Sequence, residues 1–246
     1  MPKPVLSVFS HLLDVLIPPS CILCGAYGQG PVCSGCWTHA RPIDAPFCEK
    51  CGLPVGLQDR KGVENPYLCY ECRRGHWEFD IARGCFIFEG PVRDLVHKLK
   101  YNGHFVLAAW LGFEMIGVLQ DRIKGKDTEK SFMVPVPLSD DRLKEREFNH
   151  SFLLARSLGR ITGITLSPSL LSRKKGSKPQ VGLSTSERWA NVRGTFLVKK
   201  PEQVKGRHMI LVDDVFTTGA TVNECARALK KAGAVHVEAW TLARTL

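Results

Sequence analysis

A chain of 246 residues and 27.4 kDa, with 44% hydrophobic and 24% charged residues, has a globular composition and enough length for one large domain or a mid-sized domain with a small appendage. This excludes a disordered tail protein, and no apolar run approaches the ~18 residues needed to cross a bilayer. The net charge of +10 is unevenly spread: residues 1–75 hold seven basic and six acidic groups, whereas residues 173–207 hold ten basic against two acidic, a segment suited to a polyanion or simply to a solvated surface.

The first elements in chain order fall within residues 1–20, where Val5, Leu6, Val8, Phe9, Leu12, Leu13, Val15, Leu16 and Ile17 are interrupted by Ser10, His11 and Asp14. A signal peptide needs an unbroken apolar segment and a small-residue cleavage site, and this stretch instead runs into Pro18-Pro19-Ser20, so an amphipathic N-terminal helix is predicted.

Four C-x2-C pairs follow: Cys21/Cys24, Cys33/Cys36, Cys48/Cys51 and Cys69/Cys72. Each pair lets two thiolates reach one ion from a tight turn, and two pairs complete the tetrahedral shell that Zn²⁺ prefers. A disulfide framework is the competing reading, but without a secretory signal the expected compartment is the cytoplasm, where thiols stay reduced and metal is favoured. Two zinc ions are therefore expected in a double ribbon over 21–78. Sequential pairing is the simplest, and crossed pairing of Cys21/Cys24 with Cys48/Cys51 stays open. Trp37, Tyr67, Tyr70 and Trp77 are candidates either for base stacking or for the small cores around the metals. The solitary Cys85 and Cys225 lie in apolar patterns and are predicted core.

From residue 79 to 246, β-rich and helical runs alternate, which predicts an α/β domain with a mostly parallel sheet flanked by helices. The predicted elements are a strand at Phe86-Ile87-Phe88, helices around 91–100 and 105–123, a strand at 132–136, a helix around 148–162, a strand at 209–212, a helix around 219–232 and a strand over 235–242. In the helix around 148–162, Leu154, Leu158 and Ile161 form an apolar stripe, as do Val222, Cys225, Ala226 and Leu229 later.

The segment Ile210-Leu211-Val212-Asp213-Asp214-Val215-Phe216-Thr217-Thr218-Gly219-Ala220-Thr221 carries the most chemistry. A buried parallel strand delivers two acids to its carboxyl end, and a glycine- and hydroxyl-rich turn then opens a helix whose first N–H groups suit a phosphate. Asp and Thr before a helix often only cap it, but this ordered run exceeds a cap. Adjacent carboxylates repel phosphate and suit sugar hydroxyls instead.

This run resembles the 5-phosphoribosyl-1-pyrophosphate motif of type I phosphoribosyltransferases. The resemblance implies that Asp213 and Asp214 hold the ribose hydroxyls, that Thr217, Thr218, Gly219, Ala220 and Thr221 cradle the 5-phosphate, and that Mg²⁺ accompanies the substrate. With the cysteine pairs, Leu99-Lys100-Tyr101, Val134-Pro135-Val136-Pro137, Arg146-Glu147-Phe148-Asn149, Gln180 with Leu183, Arg188 with Asn191, and Phe196, the chain resembles the ComF family along nearly its whole length. That family joins a double zinc ribbon to a phosphoribosyltransferase-like domain and is associated with natural competence. The resemblance implies cytoplasmic handling of incoming single-stranded DNA, with competence or recombination proteins such as a helicase as partners. An active phosphoribosyltransferase acting on an unidentified amine or base is the alternative. It also implies that Arg142 and Arg146 meet the pyrophosphate, and that residues 173–191 form a loop closing over the site. The family pattern has Gly where Glu147 stands and Thr where Ser177 stands.

Overall fold

The computed structural model describes residues 20–28, 30–56, 67–75, 77–101, 105–146, 148–174 and 184–246. The expected N-terminal helix, apart from Ser20, lies outside them, as do Glu147, Ser177, Gln180, Leu183 and the middle of the expected closing loop. The described elements are α1 (Ser34–Trp37), α2 (Tyr70–Arg73), β1 (Ile81–Ile87), α3 (Gly90–Tyr101), α4 (Phe105–Ile123), β2 (Ser131–Pro135), α5 (Asp140–Arg146), α6 (His150–Thr162), β3 (Thr165–Leu166), β4 (Leu171–Arg173), α7 (Thr185–Val192), β5 (Phe196–Val198), β6 (His208–Phe216), α8 (Ala220–Lys231) and β7 (His236–Arg244).

Five strands form one sheet in the order β1-β7-β6-β2-β3, with every described pairing parallel. Parallel strands need crossovers, and helices on both faces supply them, so the central strands are buried on both sides and read as continuous apolar runs. Alternation along β6 divides the core. Met209 and Leu211 join Val237, Ala239 and the inner face of α8, whereas Ile210 and Val212 join Trp240, Leu242 and helices α3, α4 and α6. The expected α/β architecture is thus present. The sequence pattern shortened β1 and β6, whose polar or small residues (Arg83, Gly84, Asp213, Asp214) interrupt the apolar signal while the backbone pairing continues through them. Helix α6 begins at His150, because Asn149 caps it by accepting from the N–H groups of Ser151 and Phe152.

Beside the main sheet, β4 and β5 form an antiparallel pair, which with α7 makes a small flap packed on α8. Neither the pair nor α7 was anticipated, because their runs of three and eight residues are too short for a periodic signal. Helix α7 starts with a capping box between Ser184 and Glu187.

The cysteines gather as Cys21, Cys24, Cys33 and Cys36 in one group and Cys48, Cys51, Cys69 and Cys72 in another, each with its sulfur atoms within 4.8 Å of one another. Pairing is therefore sequential. Four thiols around one point fit the tetrahedral shell of Zn²⁺. Backbone N–H groups point at the sulfurs, as from Cys36 to Cys33 at 3.4 Å and from Cys69 to Cys48 at 3.3 Å, which stabilises thiolate charge.

The two ribbons lie on opposite faces of the sheet. The first rests on α4 through Trp37, which packs edge-on against Phe86 and Trp110 and donates its indole N–H to Glu114 at 2.8 Å. The second is built into the core beside α8 and β6. Gly52, at φ +69°, brings its backbone so close to β1 that a Cβ there would sit 2.8 Å from the Ala82 carbonyl oxygen, which only glycine tolerates. Arg244, at the end of β7, donates to the Cys51 carbonyl at 2.7 Å, and Arg83 donates to the Glu49 carbonyl at 2.9 Å. Cys85 and Cys225 are fully buried, as expected. No helix among the described residues is long and apolar enough to cross a membrane.

Candidate functional site

A cleft of about 400 Å³ opens at the carboxyl ends of β1, β2 and β6, where open parallel sheets bind their ligands. Asp213 and Asp214 form its floor. Asp213 Oδ1 accepts from the Ser151 hydroxyl at 2.8 Å and from the Asp214 N–H at 2.9 Å, and Asp214 Oδ1 accepts from the Val215 N–H at 2.8 Å. The other oxygen of Asp214 lies 2.7 Å from Lys100 Nζ and 3.2 Å from His150 Nε2. Lys100 closes the last turn of α3 and His150 the first turn of α6, so two helices on one face of the sheet position the acids of β6.

These surroundings drive the two acids apart. Burial, and then the adjacent charge of Asp214, push Asp213 up to about 8. Burial also opposes the charge of Asp214, but His150 and Lys100 outweigh it and hold that carboxyl well below its ordinary range. One acid is therefore a proton carrier near neutrality and the other a fixed anion. Between the unfolded value near 4 and about 8, the ligand-free folded chain keeps a proton on Asp213 that the unfolded chain has lost, so stability falls as pH rises through that window. Thermal melts across this range in Mg²⁺-free buffer should show the decline, and Asp213→Asn should flatten it. An unchanged pH dependence in the variant would refute the assignment.

The turn after β6 forms the wall beside the acids. Gly219 takes φ +75° and is the residue before α8; having no side chain, it cannot itself cap the first-turn N–H groups. Thr218 Oγ1 accepts from the Ala220 N–H at 3.4 Å, and Thr217 and Thr221 line the cleft. A Cβ on Gly219 would lie 2.6 Å from Phe216 and 2.7 Å from Trp77. The indole that closes the second ribbon thus lies directly against this turn. Asn223 of α8 accepts from the Glu78 N–H at 2.7 Å and ties the same two segments.

Cationic side chains face the acids and the turn. Arg146 from α5, Arg173 from β4 and Arg188 from α7 all line the cleft, and Arg188 lies 3.5 Å from the Thr217 hydroxyl. Of Arg142 only the backbone, within α5, is described. The structure thus gathers Asp213, Asp214, Thr217, Thr221 and Arg146 around one cleft, with Thr218, Gly219 and Ala220 forming the intervening turn. Sequence reasoning did not assign His150 or Ser151 to the site, and it placed Arg173 there only as part of the closing loop expected over 173–191. Lys100 and Arg188 were noted only for resemblance. A polar pair directly after the Asn149 cap was the one local signal available for His150 and Ser151.

Of the four aromatics considered for stacking, Trp37 and Trp77 are packed into cores and Tyr67 packs partly against one. Tyr70 is exposed, beneath the Arg74 guanidinium at 5.6 Å.

Comparison with known proteins matches residues 12–77 to the family model described as double zinc ribbon domain and residues 151–245 to that described as phosphoribosyl transferase domain. The DNA utilization protein YhgH of Escherichia coli K12 is 32% identical over 94% of this chain and 99% of its own length. Competence protein F of Haemophilus influenzae is 28% identical over 87% of this chain and 90% of its own, and competence protein ComFC of Bacillus subtilis is 26% identical over 87% and 84%.

Proposed function

The chain belongs to the ComF family, and from that membership we propose that it handles incoming single-stranded DNA in the cytoplasm during competence, using a pocket for 5-phosphoribosyl-1-pyrophosphate or a related sugar phosphate. The division into an N-terminal helix over 1–20, ribbons over 21–78 and a phosphoribosyltransferase-like domain over 79–246 belongs to the same reading.

The observation that carries the pocket is the pairing, in one cleft, of the Asp213–Asp214 floor with a helix start preceded by Gly219 and three arginines. Asp214, fixed as an anion, accepts a hydrogen bond from one ribose hydroxyl, and Asp213 is positioned for the other. The Thr217–Thr221 turn offers backbone N–H groups and hydroxyls to the 5-phosphate. Arg146, Arg173 and Arg188 suit the pyrophosphate, which planar guanidinium groups grip through paired oxygens. Asp213, Asp214 and His150 hold ligand atoms within 4.8 Å of one another. The two carboxylates fit Mg²⁺, which when bound would neutralise pyrophosphate charge.

The exposed Lys174, Arg193, Lys199, Lys200 and Lys205 on and around the flap, with Tyr70 and Arg74 on the second ribbon, support electrostatic and stacking contacts to single strands. Partner proteins of the competence machinery, such as a helicase, fit the same role. The alternative, an active transferase to an amine or base, is favoured by the flap arginines Arg173 and Arg188, which line the same cleft as the two acids and suit a departing pyrophosphate.

The test is pyrophosphate release from 5-phosphoribosyl-1-pyrophosphate with Mg²⁺, with and without single-stranded DNA. Asp213→Asn/Asp214→Asn should bind the ligand at least tenfold more weakly, the lost charge-assisted bond to Asp214 alone being worth ~1.5 kcal/mol or more. Release that disappears in the variant identifies an enzyme. Binding that disappears without any wild-type release identifies a sensing pocket, and binding unchanged in the variant removes the pocket from this reading.

A further inference from the structure

Helix α4 is apolar around most of its circumference; one flank meets the core through Leu107, Ala108, Leu111, Met115 and Leu119, and another is covered by the first ribbon at Trp110 and Glu114. A helix apolar on all sides is normally covered on all sides. On the outer flank, Phe105 is 55% exposed and Phe113 65%, and across from them on α6 Ile161 is 48% exposed.

The two helices touch closely at Gly112, where an added Cβ would collide with Ser157, and the Ser157 hydroxyl donates to the Ala109 carbonyl at 3.1 Å. Small residues there, Ala108 and Ala109, leave a groove of about 320 Å³ between the larger rims. Arg156 and Arg160 line it, one helical turn apart on the exposed face of α6. Among the described residues neither side chain has a hydrogen bond or an ion pair. Exposed apolar side chains around a small-residue floor, rimmed by two uncompensated guanidinium groups, are complementary to carboxylates flanking an apolar anchor. A second copy of this chain, at net charge +10, is a poor electrostatic match for that rim. Bases of a single strand stack on exposed ring faces, but they do not enter the narrow floor at Ala108 and Ala109, which suits the apolar side chain of a peptide instead.

We propose that the groove between α4 and α6 docks an acidic peptide segment of a partner protein, an apolar side chain entering between Phe105, Phe113 and Ile161 while neighbouring carboxylates pair with Arg156 and Arg160. The site lies apart from the Asp213–Asp214 cleft and shares no lining residue with it, so it is independent of what that cleft binds.

The test uses the zinc-loaded full chain and four fluorescent decapeptides, carrying either an aspartate or a serine run beside either a phenylalanine or an alanine. Anisotropy should show binding by the aspartate–phenylalanine peptide, weakened about tenfold when either feature is removed and weakened by salt. Arg156→Glu/Arg160→Glu should abolish this binding while phosphoribosyl ligand binding persists, and Ala109→Trp, which fills the floor, should abolish it without changing the charge. A photo-crosslinking residue at position 113 should capture the peptide. Absence of any preference among the four peptides overturns the proposal, as does binding unaffected by both variants. Crosslinking of position 113 to residues 1–19 of the same chain or to a second copy, or loss of oligodeoxythymidine binding in the arginine variant without peptide binding in the wild type, likewise overturns it and names the other occupant.

Discussion

Cys51→Ser should cost the protein its fold, whereas Cys24→Ser should cost it one zinc ion and little else. The two sites differ in what surrounds them. Cys48, Cys51, Cys69 and Cys72 are between 0% and 8% exposed and share a hydrophobic cluster with Met209 and Leu211 of β6 and Val222 and Cys225 of α8. Arg244 and Arg83 donate to the Cys51 and Glu49 carbonyls, so backbone hydrogen bonds cross from ribbon to sheet. Releasing metal there leaves four thiols buried and their turn unsupported. Structural zinc contributes on the order of 10 kcal/mol or more in small ribbons, comparable with the whole stability of an ordinary domain, about 5–15 kcal/mol. A loss of even ~4 kcal/mol lowers the melting temperature by roughly 10 °C for a chain of this size.

Cys24, by contrast, is exposed and Cys36 partly so. Its ribbon meets the core through Val32 and the partly buried Ile22, Leu23, Cys36 and Trp37, whereas all four cysteines of the second ribbon are buried members of theirs. Cys24→Ser should therefore bind one zinc per chain and melt within a few degrees of the wild type. Metal content by atomic absorption and melting by circular dichroism give both numbers, and equal destabilisation by the two substitutions would refute the asymmetry.

That asymmetry was not legible in the sequence, where the four C-x2-C pairs look alike and suggest a separate appendage. What distinguishes them is contact across long sequence separation. Gly52 reads as a turn glycine until β1 arrives against it, and Arg244, nearly two hundred residues from Cys51, carries no local sign of its partner. The site divides in the same way. Asp213, Asp214 and the Thr217–Thr221 turn are one continuous segment whose order states its chemistry. Lys100, His150, Ser151, Arg173 and Arg188 reach the cleft only because parallel strands bring the loops at their carboxyl ends together. A lysine ending one helix and a histidine opening another are ordinary in isolation. They converge on Asp214 only once β6 lies between them.

The turn proposed to hold the 5-phosphate meets the second ribbon at Gly219, so Gly219→Val should remove phosphoribosyl binding from a protein that still binds two zinc ions. At φ +75° a branched side chain meets the left-handed penalty, ~1–2 kcal/mol. Its Cβ would also fall 2.6 Å from Phe216 and within 2.9 Å of two Trp77 ring atoms, and overpacking of that kind costs about 1–3 kcal/mol more. Neither ring can yield freely, since Trp77 is packed against Phe79 and Trp189, and Phe216 carries the Arg244 guanidinium at 4.6 Å from its centroid. The turn must therefore move, and with it the N–H groups opening α8, for which a displacement of about 1 Å is enough to lose 100-fold in a positioned interaction. Calorimetric titration with 5-phosphoribosyl-1-pyrophosphate should show that loss or more. Trp77→Ala placed on Gly219→Val should recover part of it by emptying the space the new side chain needs, leaving only the backbone penalty and the Phe216 contact. Wild-type affinity in Gly219→Val would mean that the phosphate does not rest on this turn, and no recovery in the double variant would mean that the ribbon's indole does not hold the turn in place.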